Sequence, residues 1–218
     1  MQQGESCTFP SREELDRAKD QRFSPEVHKR LKDSQVAVAG LGGLGSNIAV
    51  MLTRSGIGHL HLVDFDSVDV TNLNRQAYMT SHLGMKKTAA LAQILREINP
   101  YLRITTKTAY VTERNAAELF GRYPIVCEAF DRPENKAMLV NTLLENCPHT
   151  TVVAGSGMAG YGSSNAIITR RAMNRLYICG DGQADVNDGT GLMAPRVAIC
   201  AGHQANMVLR LLLGEKDV

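Results

Sequence analysis

The chain has 218 residues, with 24 Lys and Arg against 22 Asp and Glu, a net charge of +2 and 44% hydrophobic residues. That length suits one large α/β domain or a domain with a small appendage, and the balanced charge excludes an overall field drawing the chain to nucleic acid or a membrane surface. No apolar run approaches the roughly 20 residues that span a bilayer, and the N-terminus is polar rather than signal-like, so a cytoplasmic protein is expected.

Residues 1–11 lack hydrophobic periodicity and read as a frayed tail or a partner contact. Residues 12–31 are charged and helical in composition, with Ser24 a candidate N-cap and Pro25 opening a second short helix. Together they predict an arm, residues 1–33, ahead of a domain at residues 34–218. That domain opens with Val36-Ala37-Val38-Ala39, a short apolar run suited to a strand buried on both faces of a parallel sheet. Gly40, Gly42 and Gly45 follow as G-x-G-x-x-G: a tight turn, a close approach of backbone to phosphate, and close packing of the next helix. The free N–H groups of that helix form an anion site without a charged side chain. A second strand at residues 59–63 ends in Asp64, about twenty residues beyond the last glycine, where a carboxylate can hold a ribose.

The alternation continues with a helix at residues 83–98, a strand at 102–108 and a helix at 112–120 capped by Thr112 and Asn115. A strand at 125–130, a turn at Asp131 and Pro133, a helix at 134–146 and a strand at 149–154 complete it. After a glycine- and serine-rich stretch, strand-like runs at 165–169 and 176–179 lie too close together for a helical crossover, so an antiparallel edge is predicted. Residues 180–195 predict a long mobile loop, and residues 196–213 a final helix. The predicted fold is α/β: a Rossmann-like, doubly wound, mostly parallel sheet with an antiparallel C-terminal edge and helices on both faces.

Three groups follow strand ends and converge on the rim that carries the glycine loop. They are Asp64 to Asp69, Asn72 to Gln76 and Asp131 to Lys136, with a fourth group, Gly84 to Lys87, at a helix start. Arg75 and Lys87 suit phosphate oxygens, and Asp131 suits Mg²⁺, which takes one or two carboxylates plus phosphate. No nucleophile or general base stands out in the glycine core. A substrate carboxylate can itself attack an α-phosphate if the protein positions it and stabilises the developing charge.

The combination GLGGLGS, DFDSVDVTNLNRQ, GMKK and DRPENK resembles the ThiF/MoeB branch of the ubiquitin-activating-enzyme-like superfamily, over roughly residues 34–213. It is most similar to the ThiF group, which activates the sulfur carrier of thiamine synthesis. The resemblance implies adenylation, with Mg-ATP, of the C-terminal glycine of a small ubiquitin-like carrier ending in Gly-Gly, with release of pyrophosphate. It implies phosphate-loop roles for Gly40, Gly42, Gly43 and Gly45, the ribose at Asp64, the phosphates at Arg75 and Lys87, and Mg²⁺ at Asp131. Asp66, Asn72 and Gln76 are implied as further nucleotide contacts. A homodimer is implied too, with the last helix and the arm as interface candidates.

Two departures from the family pattern stand out. Relatives carry an N-terminal Arg-Tyr/Phe-x-Arg-Gln segment, whereas Arg22-Phe23-Ser24-Pro25 here has proline at the second arginine, leaving Arg22 or Arg30 as substitutes. Many relatives also bind zinc through two C-x-x-C pairs. Cys7, Cys127, Cys147, Cys179 and Cys200 form no such pair, so reduced thiols and no structural zinc are expected.

Alternative readings stand beside these. Asp66 and Asp69 either meet the ligand or cap a turn, Arg75 is otherwise a surface ion-pair residue, and Asp131 is otherwise a helix N-cap. Lys87 is preferred to Lys86 by its spacing from Gly84. Cys179, at the entrance to the loop before the last helix, is either an acyl acceptor or a small buried hydrophobe, while Cys127 and Cys200 read as core and His203 as a helix-face group. Competing functions are a nicotinamide-dependent oxidoreductase, which leaves Arg75, Lys87 and Asp131 without a job, a non-catalytic scaffold, a molybdopterin-carrier adenylyltransferase and a tRNA-modifying dehydratase. The last is disfavoured by the absence of a basic stripe, and nucleic acid is not an expected partner.

Overall fold

The computed structural model describes residues 10–185 and 188–218, which leaves Cys7 and the middle of the predicted loop outside the described residues. The arm holds α1 (Arg12–Asp20) and α2 (Pro25–Lys32). Ser11 and Glu14 close a capping box on α1, and Ser24 caps α2 from the Val27 amide, with Pro25 at its first turn. Leu31 enters the main core, and the arm packs α2 against the last helix, where Arg30 donates to the Leu212 carbonyl at 3.2 Å.

Seven strands follow: β1 (Gln35–Ala39), β2 (His59–Asp64), β3 (Arg103–Thr108), β4 (Ile125–Glu128), β5 (Thr151–Gly155), β6 (Ile168–Met173) and β7 (Leu176–Gly180). Their order is β3-β2-β1-β4-β5-β7-β6, parallel throughout except for β6, which runs antiparallel to β7 at the edge. The mostly parallel sheet with an antiparallel C-terminal edge is therefore as read from the sequence. The order in which successive strands are added reverses between β1 and β4, which run parallel, and this is the place where open α/β sheets bind ligands beyond their strand ends.

The helices are α3 (Gly43–Arg54), α4 (Lys87–Ile98), α5 (Glu113–Phe120), α6 (Pro133–Asn146) and α7 (Ala194–Leu212). Period-2 alternation divides the core between the two faces. Val36, Val38, Leu60, Leu62 and Cys127 face one cluster with residues of α3, α4 and α7, while Ala37, Ala39, Val63 and Val126 face another with residues of α5 and α6.

Several boundaries move. The helix expected from residue 83 begins at Lys87, because a one-turn 3₁₀ segment at Thr80–His82 and the pairing of Gly84 and Met85 with Val68 occupy the preceding chain. The strand expected at 149–154 starts at Thr151, and the one expected at 165–169 starts at Ile168, after a 3₁₀ turn at Ser164–Ala166. In each case a local turn uses the backbone groups that a longer element would need.

Candidate functional site

The strand ends at the switch point open into a cavity of ≈ 460 Å³. Its floor is the glycine loop. Gly40 adopts φ +86°, a left-handed conformation that favours glycine. A Cβ on Gly45 would lie 1.8 Å from the Gly40 carbonyl oxygen, so α3 can start this close to β1 only without a side chain there. Gly45 is thus a packing residue that does not reach the cavity, whereas Gly40, Gly42 and Gly43 line it. A Cβ on Gly42 would meet nothing nearer than the Gln76 side chain at 3.9 Å, so it would project into the ligand space. The first amides of α3 have no partner within the helix, and their dipole end faces the same space.

Side chains tie this loop to its surroundings. The buried Asp64 carboxylate accepts from the Leu41 amide at 2.6 Å and the Asp66 amide at 2.8 Å, fixing it at the cavity wall. Tyr78 donates to the Leu41 carbonyl at 2.8 Å, and burial pushes its hydroxyl above the usual range. Ser46 accepts from the Ala77 amide at 3.1 Å, and Asn47 donates to the carbonyls of Gly43 at 2.7 Å and Arg75 at 3.1 Å. The segment carrying Arg75 and Gln76 is therefore stitched to the helix that starts at the glycines.

Two cations enter from this side. Arg75 donates through Nη1 to the Thr71 carbonyl at 3.1 Å and to Asn74 Oδ1 at 2.8 Å. Burial pushes its guanidinium below the ordinary value, and the charge of Asp131 pulls the other way. Lys87 is buried at the first turn of α4, with Nζ 2.9 Å from Asp66 Oδ2. Lys86 instead donates to the Phe65 carbonyl at 3.1 Å and does not line the cavity. Asn72 and Gln76 do line it, and Gln76 Oε1 is buried without a hydrogen-bond partner. Asp69 serves its turn: its carboxylate accepts from the Thr71 amide at 2.8 Å and hydroxyl at 2.7 Å.

Asp131 also lines the cavity, exposed, in the β4–α6 connection. It is not the helix cap, since the N-cap position of α6 is Arg132. The connection is held from below by Glu128, fully buried, whose Oε1 accepts from the Phe130 amide at 2.7 Å and from Lys136 Nζ at 3.1 Å. Lys136 also approaches Glu128 Oε2 at 2.9 Å, an ion-pair contact without hydrogen-bond geometry, and donates to the Phe130 carbonyl at 2.9 Å. Burial pushes the Glu128 carboxyl up, while Lys136 and the Phe130 amide oppose it. Phe65 and Tyr110, packed edge to face with centroids 4.9 Å apart, complete this end of the cavity wall with Phe130 and Pro133.

The other end is bounded by residues 155–159 and by Gly182, Gln183, Ala184, Asp185 and Leu192 of the segment between β7 and α7. Its base is pinned by Asp181, which pairs with Arg196 and accepts from the amides of Gln183 and Ala184 at 2.9 Å each. Burial raises the Asp181 carboxyl, and these donors more than offset it. Cys179 lies in the core rather than the cavity wall, 3.5 Å from the Thr169 hydroxyl, with burial pushing its thiol up to about 11. His203 bonds the same hydroxyl at 2.9 Å. Neither Arg22 nor Arg30 lines the cavity of this chain. Among the described residues no cluster of three or more metal-binding side chains occurs.

Residues 15–218 match the model of the ThiF family. The chain belongs to the ThiF family. Within the wider ThiF/MoeB, E1-like superfamily it is similar to the adenylyltransferase and sulfurtransferase UBA4 of Lodderomyces elongisporus, 30% identical over 88% of this chain and 43% of that one. It is also similar to the molybdopterin-synthase adenylyltransferase of Haemophilus influenzae, 36% identical over 60% of this chain and 53% of that one. The tRNA threonylcarbamoyladenosine dehydratase of the same organism is 32% identical over 62% of this chain and 52% of that one. This ThiF-family chain spans about half or less of the length of these curated relatives. The fold matches that of the Escherichia coli tRNA N6-threonylcarbamoyladenosine dehydratase solved with ATP, with a TM-score of 0.81 and 24% identity, over 90% of this chain and 93% of that one.

Proposed function

We propose that this chain is an ATP- and Mg²⁺-dependent adenylyltransferase acting on the C-terminal glycine of a small ubiquitin-like sulfur carrier, in thiamine synthesis. The observation that carries the reading is the meeting of Gly42, Arg75, Lys87 and Asp131 around one cavity that runs on towards Leu192. A nicotinamide site needs only the glycine loop and Asp64. Two cations and an exposed carboxylate beyond them suit a triphosphate and its metal.

In this reading a carboxylate oxygen of the carrier attacks the α-phosphorus of ATP, the bond to the pyrophosphate oxygen breaks, and its electron pair leaves with pyrophosphate. The amides at the start of α3 and the charges of Arg75 and Lys87 stabilise the negative charge gathering on the phosphate oxygens. The carrier supplies the nucleophile already ionised, so the chain needs only to align it. Asp131 is the residue that would hold Mg²⁺, a hard cation satisfied by one carboxylate with phosphate and water, and the ion would supply further charge neutralisation. A homodimer in the cytoplasm belongs to the same reading. Among the described residues no helix is long and apolar enough to cross a membrane.

A second reading, a dehydratase acting on modified tRNA, is favoured by the fold match over nearly the whole of the dehydratase chain. Pyrophosphate exchange into ATP separates the two. Stimulation by a Gly-Gly-ended carrier supports the first, with thiamine and molybdopterin carriers compared side by side, and stimulation by threonylcarbamoyladenosine-bearing tRNA alone supports the second. Calorimetric binding of NAD without binding of Mg-ATP would overturn both.

A further inference from the structure

Asn74 stands where two parts of the cavity wall meet. Its Oδ1 accepts from Arg75 Nη1 at 2.8 Å, and its Nδ2 donates to the Leu192 carbonyl at 3.0 Å. Chemistry fixes the amide this way round, because a guanidinium only donates and a carbonyl only accepts, so a flipped amide would face two mismatched groups. Leu192 is held at a second point by Gly160, which pairs with it in parallel and whose amide donates to the Gly191 carbonyl at 2.7 Å. Arg75, Leu192 and Ala159 all line the cavity. One exposed side chain thus joins the arginine on one wall to the described segment 188–193 on another.

We propose that Asn74 is a positioning residue that couples the Arg75 guanidinium to the segment carrying Leu192. The coupling rests on the reading of Arg75 as a phosphate contact. A phosphate oxygen is a stronger acceptor for a guanidinium than a neutral amide oxygen, roughly twofold in energy, so a bound triphosphate draws Arg75 away from Asn74. The amide then loses the partner that orients it, and its hold on Leu192 weakens. Nucleotide binding would in this way loosen the wall at the Leu192 end of the cavity.

The Gly160 amide reports this event, since its bond to Gly191 breaks when the segment lifts. Hydrogen exchange of the full chain is followed at Gly160 in wild type, Asn74→Asp and Asn74→Ala, first alone and then with Mg²⁺ and a non-hydrolysable ATP analogue. Asp keeps an acceptor for Arg75 and loses the donor to Leu192; Ala loses both. Without nucleotide, both variants should exchange at Gly160 about three- to tenfold faster than wild type, the equivalent of one lost hydrogen bond. With the analogue, wild type should speed up and Asn74→Ala should not change. Equal Gly160 rates in all three proteins without nucleotide, or an equal response of Asn74→Ala and wild type to the analogue, would overturn the proposal. If calorimetry finds no binding of the analogue to wild type, the adenylation reading and the nucleotide-dependent coupling fall together. The nucleotide-free comparison still decides whether Asn74 holds the segment.

Discussion

Lys87 is tied twice to Asp66: its backbone amide donates to the Asp66 carbonyl at 3.0 Å, and its ammonium lies 2.9 Å from the Asp66 carboxylate. The two ends of the pair differ in exposure, with the lysine side chain 7% exposed and the aspartate 47%. A buried charge is tolerated when paired and costly when its partner is removed. Asp66→Asn should therefore destabilise the fold more than Lys87→Met, which removes the charge along with the need for a partner. Lys87→Met should in turn weaken ATP binding by about tenfold or more, the loss of one charge-assisted contact. Denaturant melts and calorimetry on both variants check this opposition, and it fails if the two rank the same way in both measurements.

The glycines separate packing from binding. Ala at position 45 places its Cβ against the Gly40 carbonyl, a backbone atom that cannot give way, so Gly45→Ala should cost about 3 kcal/mol or more in stability. Gly42→Ala has open space at 3.9 Å and should fold with near-native Tm while losing ATP affinity. Thermal melts with and without ATP resolve the two effects.

Asp131 makes no hydrogen bond or ion pair among the described residues and shares the cavity wall with Arg75. Asp131→Asn should reduce Mg-dependent pyrophosphate exchange by about a hundredfold. Binding of ATP without Mg²⁺ should be equal or slightly tighter, because a carboxylate facing a triphosphate repels it. Weaker metal-free binding would point to a direct nucleotide contact instead.

His61 predicts a pH dependence of stability. It stacks on Tyr123 with centroids 4.9 Å apart and bonds the Thr105 hydroxyl at 2.8 Å. Burial, with Arg122 and His59 adding repulsion, pushes its pKa down to about 4. An unfolded histidine titrates near 6.5, so between about pH 6.5 and 4 the unfolded chain binds the proton that the folded chain refuses. The stability that His61 contributes is present above that window and is lost as pH falls through it. The Tm of wild type should drop across this range, and His61→Gln should drop less.

Burial also raises the thiols of Cys179, to about 11, and Cys200, to about 12, with that of Cys147 raised in the same direction. Thiolate is the reactive species, so native protein at pH 8 should alkylate slowly at these positions and readily in denaturant. Cys179→Ala should leave pyrophosphate exchange unchanged, as a core residue outside the cavity wall. Rapid native alkylation at Cys179 would restore its candidacy as an acyl acceptor.

The parts of the site legible in the sequence are those set by local spacing. Gly40, Gly42 and Asp64 mark strand ends and turns, and the alternation of strands with helices placed Arg75, Lys87 and Asp131 on one rim. Partners separated along the chain leave no local pattern. Lys136 falls within the DRPENK motif, yet its pairing with Glu128 depends on the turn that brings α6 over β4. Glu128 itself is, by pattern, one more residue of a buried strand. Arg196 opens the predicted last helix, and only the return of the chain after β7 sets Asp181 against it. Tyr110 and Phe65 became a wall through the β2–β3 pairing, which no local pattern encodes. The displaced strand starts at Thr151 and Ile168 have a related cause, because apolar runs tell where a chain is buried better than where its ladder begins.

Pyrophosphate exchange into ATP tests the central claim most directly, measured with a small Gly-Gly-ended carrier and with the same carrier lacking its last two residues. Adenylation of the C-terminal glycine predicts exchange that needs Mg²⁺, appears with the intact carrier, and vanishes with the shortened one. Folded protein that binds Mg-ATP yet exchanges no pyrophosphate with any intact carrier would contradict it.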